Sequence, residues 1–427
     1  MRERRGDTCD YPLLCMIPRK RIDIGWVDLA GGMFGCVMPG DAAGLCVRLE
    51  AAWDSRASLA CLSVRSGFDA LLATLNLPRG SAVLMSAVNI ADMARIIDAH
   101  GLVAVPIDVD MNTLQVTPAA LTRAHAQAPG ARACLIAHLF GARMPLREIA
   151  DFCNKNKLLL LEDCAQAYTG DGWRGAPQAD VSMFSFGPVK PATALGGAML
   201  SFRDAALCAR VRECMAAWPV QTRASYFRRL LKYWVFAPFA HRWPYGMLVA
   251  LCGLAGVSHD AFVSGAVRGF EGAWFFDHIR RRPAAPLLRL LVRRLRRGVE
   301  AVTQRRMARG EQLRDLLGAD ACVGGGAHER AHWLFAVRHA LCASYASRET
   351  LIAHLAQRGF DATSRASSIG VTPPPAGLPP ATHAALTLAN MVYVPAHEGM
   401  SERDIARLAD AIHEFAAAKN AALPSAV

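Results

Sequence analysis

Between residues 82 and 201, short and largely apolar runs recur between stretches of helical period. Ala82-Val83-Leu84-Met85, Val103-Ala104-Val105-Pro106 and Cys134-Leu135-Ile136-Ala137 are three of them. Lys157 to Leu161, Val181 to Phe186 and Ala194 to Ser201 continue the series. A helix after Ser66-Gly67, marked by Ala70, Leu71, Leu72 and Leu75, precedes them; Met93 to His100 and Leu146 to Lys155 alternate with them. Strands that are apolar on both sides cannot lie at a surface, so helices must cover both faces of the sheet they form. Strands and helices in alternation give an α/β fold with a largely parallel sheet.

Ligands of such sheets gather beyond the carboxyl ends of the strands. Asp163 and His138 lie just past two of the predicted strands, and Lys190 just past a third. Three separated stretches of sequence therefore converge on one edge.

The chain divides into a tail (1–20), a large domain (21–285) and a region from 286 to 427 holding a connecting basic helix and a small α+β domain. An aromatic and basic insertion spans about 218–280. From Arg280 to Arg309 arginines interleave with Leu287, Leu288, Leu290, Leu291, Val292, Leu295 and Val299. This predicts one long helix with an apolar stripe and a basic face. The basic face is read first as solvated, next as a membrane-surface element beside the aromatic segment 226–257. In the small domain a strand is expected at 331–337, a helix at 351–358 capped by Gly359, a strand at 392–395 and a final helix opened by Ser401.

The 427 residues carry a net charge of +12, which favours anionic partners. No nucleic-acid motif accompanies it, and none is expected to bind. The thirteen cysteines form no C-x-x-C pair; they are read as reduced thiols of a cytoplasmic protein. Metal catalysis is not expected. The segment Trp243–Val257 is apolar but shorter than the roughly 20 residues a spanning helix needs. It is read as a buried helix, with a peripheral contact at the inner membrane surface as the alternative.

Glu162-Asp163 closes one strand, and Lys190 follows Phe184-Ser185-Phe186-Gly187-Pro188-Val189. An acid and a lysine so placed can hold pyridoxal phosphate. The amine forms a Schiff base with the aldehyde, and the carboxylate keeps the ring nitrogen protonated so that the ring accepts electrons. An isolated lysine is usually a solvated surface residue and an acid at a strand end usually a cap, so the pair matters more than either member. Ser66-Gly67-Phe68 before an apolar helix offers backbone donors for a phosphate, and Ser185 adds a hydroxyl.

The order and spacing of Ser66-Gly67-Phe68-Asp69-Ala70-Leu71, His138-Leu139-Phe140-Gly141, Glu162-Asp163-Cys164-Ala165-Gln166-Ala167 and Phe184-Ser185-Phe186…Lys190, with Gly196-Gly197-Ala198 behind them, resemble the DegT/DnrJ/StrS sugar aminotransferases. Val394 to Ser401 resembles that family's closing strand and helix start. The resemblance covers about residues 57 to 415, weakly in the middle. It implies a fold type I pyridoxal-phosphate-dependent transferase with a mostly parallel seven-stranded sheet, working as a homodimer. An amino acid such as glutamate would give its amino group to a keto sugar, usually nucleotide-linked, for polysaccharide or secondary-metabolite synthesis. Lys190 would be the Schiff-base lysine and Asp163 the ring-nitrogen partner. Gln166 would lie near the ring, and is equally read as a helix-surface glutamine. His138 and Arg282 are the weaker candidates for substrate contact. Ile90 stands where the family places an aromatic over the ring. His278-Ile279-Arg280-Arg281-Arg282 keeps only the last arginine of the stretch that reaches the partner's site. These departures leave a second possibility, a cofactor-binding scaffold at the membrane surface.

Overall fold

The computed structural model describes residues 15–53, 56–267, 272, 274–338, 345–365 and 369–422. Helices α1 (Trp26–Val37) and α2 (Ala42–Trp53) lead into β1 (Ala57–Cys61). Then come α3 (Val64–Leu75), β2 (Ala82–Ser86), the short β3 (Val88–Ile90), α4 (Ala91–Ala99) and β4 (Val103–Ile107). Next are α5 (Pro118–Gln127), β5 (Ala133–Ala137), the two-residue β6 (Ala142–Arg143), α6 (Arg147–Lys155), β7 (Leu159–Asp163), β8 (Val181–Ser185) and β9 (Ala198–Phe202).

Seven of these strands form one sheet in the order β1-β9-β8-β7-β5-β2-β4. The steps from β8 through β7, β5 and β2 to β4 are parallel, while β9 runs antiparallel to both β8 and β1. The largely parallel sheet expected from the apolar runs is present, with the seven strands that the resemblance implies. Side chains alternate across it, as the pleat requires. Leu84, Cys134, Ile136 and Leu160 enter the core on one face. Val83, Met85, Leu135 and Leu161 enter the core on the other.

After the sheet, α7 (Ala205–Ala216) is followed by α8 (Arg223–Phe236), α9 (Arg242–Leu254), α10 (His259–Val267) and the short α11 (Phe275–Ile279). Tyr226, Leu230 and Tyr233 bury one face of α8, and the Tyr226 hydroxyl donates to the Ala194 carbonyl at 2.7 Å. The predicted long basic helix is two helices, α12 (Ala285–Arg297) and α13 (Glu300–Leu317). They are broken at Gly298, whose φ of +71° is a conformation glycine adopts without a Cβ penalty.

The arginines of α12 correct a second expectation. Its leucines are buried as predicted, and Arg293, Arg296 and Arg297 are exposed, but Arg294 is buried with them, and three of the arginines converge on one buried acid. Arg294 contacts Asp28 of α1 at 2.9 Å, Arg293 at 3.2 Å and Arg297 at 3.7 Å. Arg294 also reaches Asp23 at 2.8 Å. Asp28 and Arg294 are only 1% and 6% exposed, so neither has water to fall back on.

The small domain contains β10 (Glu329–Arg330), β11 (Phe335–Arg338), α14 (Tyr345–Gln357), β12 (Ile369–Val371), α15 (Thr382–Ala389), β13 (Met391–Val394) and α16 (Glu402–Ala422). β11 pairs with β13. β10 pairs with β6 and β12 with β3, so two small strands clip this domain onto the large one. Ser401 caps α16 as expected: the Asp404 N–H donates to its Oγ at 3.2 Å, and its own N–H donates to the Asp404 carboxylate at 2.8 Å. Of the expected tail, residues 1–14 lie outside the described residues. Residues 15–20 are tied down instead: the Ile17 N–H donates to the Gly359 carbonyl at 2.8 Å, and its carbonyl accepts from the Asp361 N–H at 3.0 Å.

Removing the Asp28 carboxylate would leave the buried Arg294 with Asp23 as its one remaining counter-charge, and breaking a buried pair from one side typically costs about 3–5 kcal/mol. Asp28→Ala should therefore lower the free energy of unfolding by about that amount in a denaturant titration. Asp28→Asn should cost less, because it keeps an acceptor.

Candidate active site

The carboxyl ends of β7, β8 and β2 open onto a cleft of about 570 Å³ lined by Asp163, Gln166, Ser185, Lys190, Asn89, Ile90, Trp333 and the first residues of α3. Parallel strands deliver their ends to the same edge, so residues 89, 163 and 190 meet although the chain separates them widely.

Lys190 sits in a turn five residues past β8, in a loop held from several sides. Its N–H donates to the Gly187 carbonyl at 3.0 Å, and the Thr193 hydroxyl donates to the same carbonyl at 2.6 Å. Ala192 and Leu195 lie in the left-handed region, with φ of +52° and +59°. Non-glycine residues take that conformation only where surrounding contacts over-determine it. The Asp23 carboxylate, which accepts from the Ala192 N–H at 2.9 Å, is one such contact.

The Lys190 ammonium lies 3.7 Å from the centroid of the Trp333 ring. Trp333 is fixed in turn: its indole N–H donates to the Val189 carbonyl at 2.9 Å. The Lys20 ammonium lies 3.5 Å from the same ring centroid. Sequence reasoning missed both residues, which are distant in the chain and belong to no motif. Withdrawal from water pushes the Lys190 amine down to about 7, with Arg65 adding to the shift and Asp163 opposing it. An amine so shifted is partly neutral at physiological pH, the form needed for nucleophilic and proton-transfer work.

Asp163 ends β7. Burial raises its carboxyl above the usual range, against the Ala165 N–H, the Lys190 amine, His138 and Arg65. The Ala165 N–H donates to its Oδ1 at 2.9 Å. Gln166 also faces the cleft, and its Oε1 accepts from the Phe140 N–H at 2.8 Å. Phe140 and Gly141 receive the Trp333 and Ala331 N–H groups at 2.9 and 2.8 Å, which joins Gln166 to the tryptophan through backbone. Asn89 contributes a buried amide nitrogen that has no protein partner among the described residues. Its Oδ1 already accepts from the Ile90 N–H at 2.8 Å. A buried donor without a partner is costly, and a ligand oxygen in the cleft would satisfy it.

Helix α3 starts at Val64, four residues earlier than the sequence indicated. Ser63 is its N-cap, accepting from the Ser66 N–H at 3.1 Å, and residues 62–65 line the cleft. Ser66 is buried, with its hydroxyl 2.8 Å from that of Ser63. Gly67 is there for packing: a Cβ would come within 2.7 Å of both methyls of Leu200. Phe68 is wholly buried in the core. None of these three lines the cleft. The Ser-Gly pair looked like a turn, but its small residues serve a close helix–sheet approach.

His138 is also withdrawn. Its Nδ1 accepts from the Met144 N–H at 3.0 Å, so Nε2 carries the proton and donates to Glu162 at 2.8 Å. Glu162 further accepts from the Ser182 hydroxyl at 2.6 Å and the Ala176 N–H at 2.9 Å. Buried His138, Glu162 and Cys164 lie close enough to suit a metal ion, but the ring and the carboxylate are already committed to these hydrogen bonds. Arg282 is exposed, and its Nε donates to the Trp218 carbonyl at 2.9 Å, outside this chain's cleft.

Residues 51–229 match the model of the DegT/DnrJ/EryC1/StrS aminotransferase family, so the resemblance read from the motifs is borne out over that segment. A relative from Saccharopolyspora spinosa, a dTDP-4-dehydro-2,3,6-trideoxy-D-glucose 4-aminotransferase, is 32% identical over 155 residues, which are 35% of this chain and 40% of the relative. The chain thus spans less than half the length of that relative. Among solved structures, the aminotransferase TlmJ from Streptoalloteichus hindustanus superposes with a TM-score of 0.66 at 20% identity, covering 94% of this chain and 99% of its own. PseC from Helicobacter pylori, an aminotransferase involved in pseudoaminic acid biosynthesis, superposes with a TM-score of 0.68 at 13% identity and the same coverages. The architecture is that of fold type I pyridoxal-phosphate-dependent transferases.

Acylation of Lys190 by an amine-directed reagent, followed by peptide mass mapping, should rise with pH around a midpoint near 7. Arg65→Ala should move that midpoint up, because the guanidinium disfavours the charged amine. Asp163→Asn should move it down, because the carboxylate favours it. A midpoint near the ordinary lysine value of about 10.4 would contradict the desolvated amine.

Proposed function

We propose that the protein is a pyridoxal-phosphate-dependent aminotransferase that moves an amino group from an amino acid, glutamate first among them, to a keto sugar carried on a phosphate-bearing group such as a nucleotide. The observation that carries this is the desolvated Lys190 amine sharing a cleft with Asp163 at the carboxyl edge of the sheet. The match of residues 51–229 to the aminotransferase family supports it.

The residues present fit the cofactor. Residues 64 and 65 form the first turn of α3, ahead of the helix's own ladder, and together with Arg65 would receive the phosphate. Asp163 would pair with the ring nitrogen and keep it protonated. The unpartnered Asn89 amide would donate to a ring substituent. Ile90 and Ser185 line the same cleft, and an aliphatic side chain can pack on a ring face as an aromatic does. Once bound, the cofactor supplies an electron sink for the carbon that bears the nitrogen.

The chain's own part is binding and proton movement. Lys190, with a pKa near 7, can take a proton from the substrate carbon at Nζ and return it at neighbouring atoms without a large energy difference. Trp333 and the Thr193-braced loop keep that nitrogen in place. Arg228 and Lys232 of α8 also line the cleft. They suit the phosphates of an activated sugar, with the half-reactions alternating through one site. In this reading the protein works as a homodimer in the cytoplasm, in polysaccharide or secondary-metabolite synthesis.

Purified protein mixed with pyridoxal phosphate should develop a near-visible absorbance band, and glutamate should deplete it. Lys190→Ala should lose conversion by a factor on the order of a thousand or more. A protein with no band, behaving identically to its Lys190→Ala variant, would rule the proposal out. A band that no amino acid converts would leave the cofactor-binding scaffold.

A further inference from the structure

Beside the cleft lies a second cavity of about 210 Å³. Val189, Tyr233, Trp333 and Ile369 line both, so the cavity adjoins the Lys190 amine. Its remaining wall is mainly apolar. Phe236, Phe239, Leu248 and Val263 come from the insertion, and Ile22 and Val394 face them. The charged groups lining it, Arg19, Lys20 and Arg365, are all basic, and Arg19 is already ion-paired with Asp260 and Asp361. Its hydroxyls are those of Tyr233, Tyr245, Tyr393 and Thr363, and the Tyr245 hydroxyl is committed to Asp361. The cavity suits hydrocarbon joined to an anionic group.

The helices that build this wall also carry an apolar outer face. On α9, Trp243, Met247, Leu251 and Leu254 are exposed at 49, 55, 60 and 87%. Their spacing of four, four and three residues places them on one side of the helix. On α8, Phe227, Leu231 and Val235 repeat every fourth residue and are exposed at 37, 46 and 59%. Arg223 is exposed on α8 beside them. An apolar stripe flanked by arginine is the composition of a helix lying on an anionic lipid surface. Among the described residues no helix is long and apolar enough to cross a membrane, so the contact would be superficial.

We propose that the cavity takes the hydrocarbon chain of a lipid-borne keto acceptor, and that the outer face of α8 and α9 rests on the lipid surface from which the acceptor comes. This rests on the amino-transfer reading of Lys190 and narrows the acceptor. The same helix lines the cavity through Leu248 and meets the lipid through Met247 and Leu251, so the chain has a short apolar path between the two.

The test uses cofactor-loaded protein titrated calorimetrically with hexyl, octyl and decyl phosphate below their micellar concentrations. Affinity should rise about fourfold per added methylene, the equivalent of ~0.8 kcal/mol each. Ala240→Trp and Leu248→Trp, which fill the cavity from two different elements, should flatten that dependence and leave the glutamate-driven spectral change intact. In flotation, the wild type should rise with vesicles of phosphatidylcholine and phosphatidylglycerol. The Leu251→Glu, Leu254→Glu double variant should not, while still binding decyl phosphate. Affinity independent of chain length would overturn the proposal. So would failure to float, including the case in which sedimentation shows a second copy covering this face. Either result with the glutamate response preserved separates failure of this inference from failure of the aminotransferase reading.

Discussion

Holding one amine away from water at the carboxyl edge of a parallel sheet is the constraint around which this protein is arranged. A lysine side chain is normally solvated, and drawing it inward disfavours its charged form. At Lys190 that displacement is set by burial and by Arg65, and moderated by Asp163. The contacts that fix it come from far apart in the chain: Trp333 between β10 and β11, Asp23 near the described N-terminus and Thr193 in the loop itself. The small domain is thus part of the site as well as a neighbour. Through Trp333 and the pairing of β12 with β3 it supplies one wall of the cleft.

The buried ion cluster at Asp28 does a related task at longer range. Arg293, Arg294 and Arg297 hold α12 against α1, and Arg294 reaches Asp23 as well. Asp23 in turn accepts from the Ala192 N–H of the lysine loop. A chain of charge-assisted contacts therefore runs from the connecting helix to the turn that carries Lys190. The Asp28–Arg294 pair is dry and costly to break from one side, which gives the loop's left-handed residues a stable support.

Much of the site could be read from the chain because its key residues sit at strand ends, where local sequence specifies position. Asp163 closes an apolar run, and Lys190 and Ser185 follow another. The α3 start was displaced by four residues because Ser66-Gly67 carries the composition of a turn while Gly67 serves as a packing contact against Leu200. His138 looked accessible by its place past β5, but its ring is consumed by Met144 and Glu162. Trp333 and Lys20 had no local signal at all. The arginines of α12 read as solvated because a sequence does not show that Asp28, over 250 residues earlier, packs beneath them.

Periodicity and apolar runs alone determined the parallel sheet, its strand ends and the pairing of an acid with a lysine, because burial on both faces leaves a local signature in every strand. Tertiary structure alone decided which side chains surround the amine, where the first turn of α3 begins and what shape adjoins the cleft. Those depend on contacts between segments hundreds of residues apart. Such contacts are governed by packing and desolvation in three dimensions, and no neighbouring residue in the sequence records them.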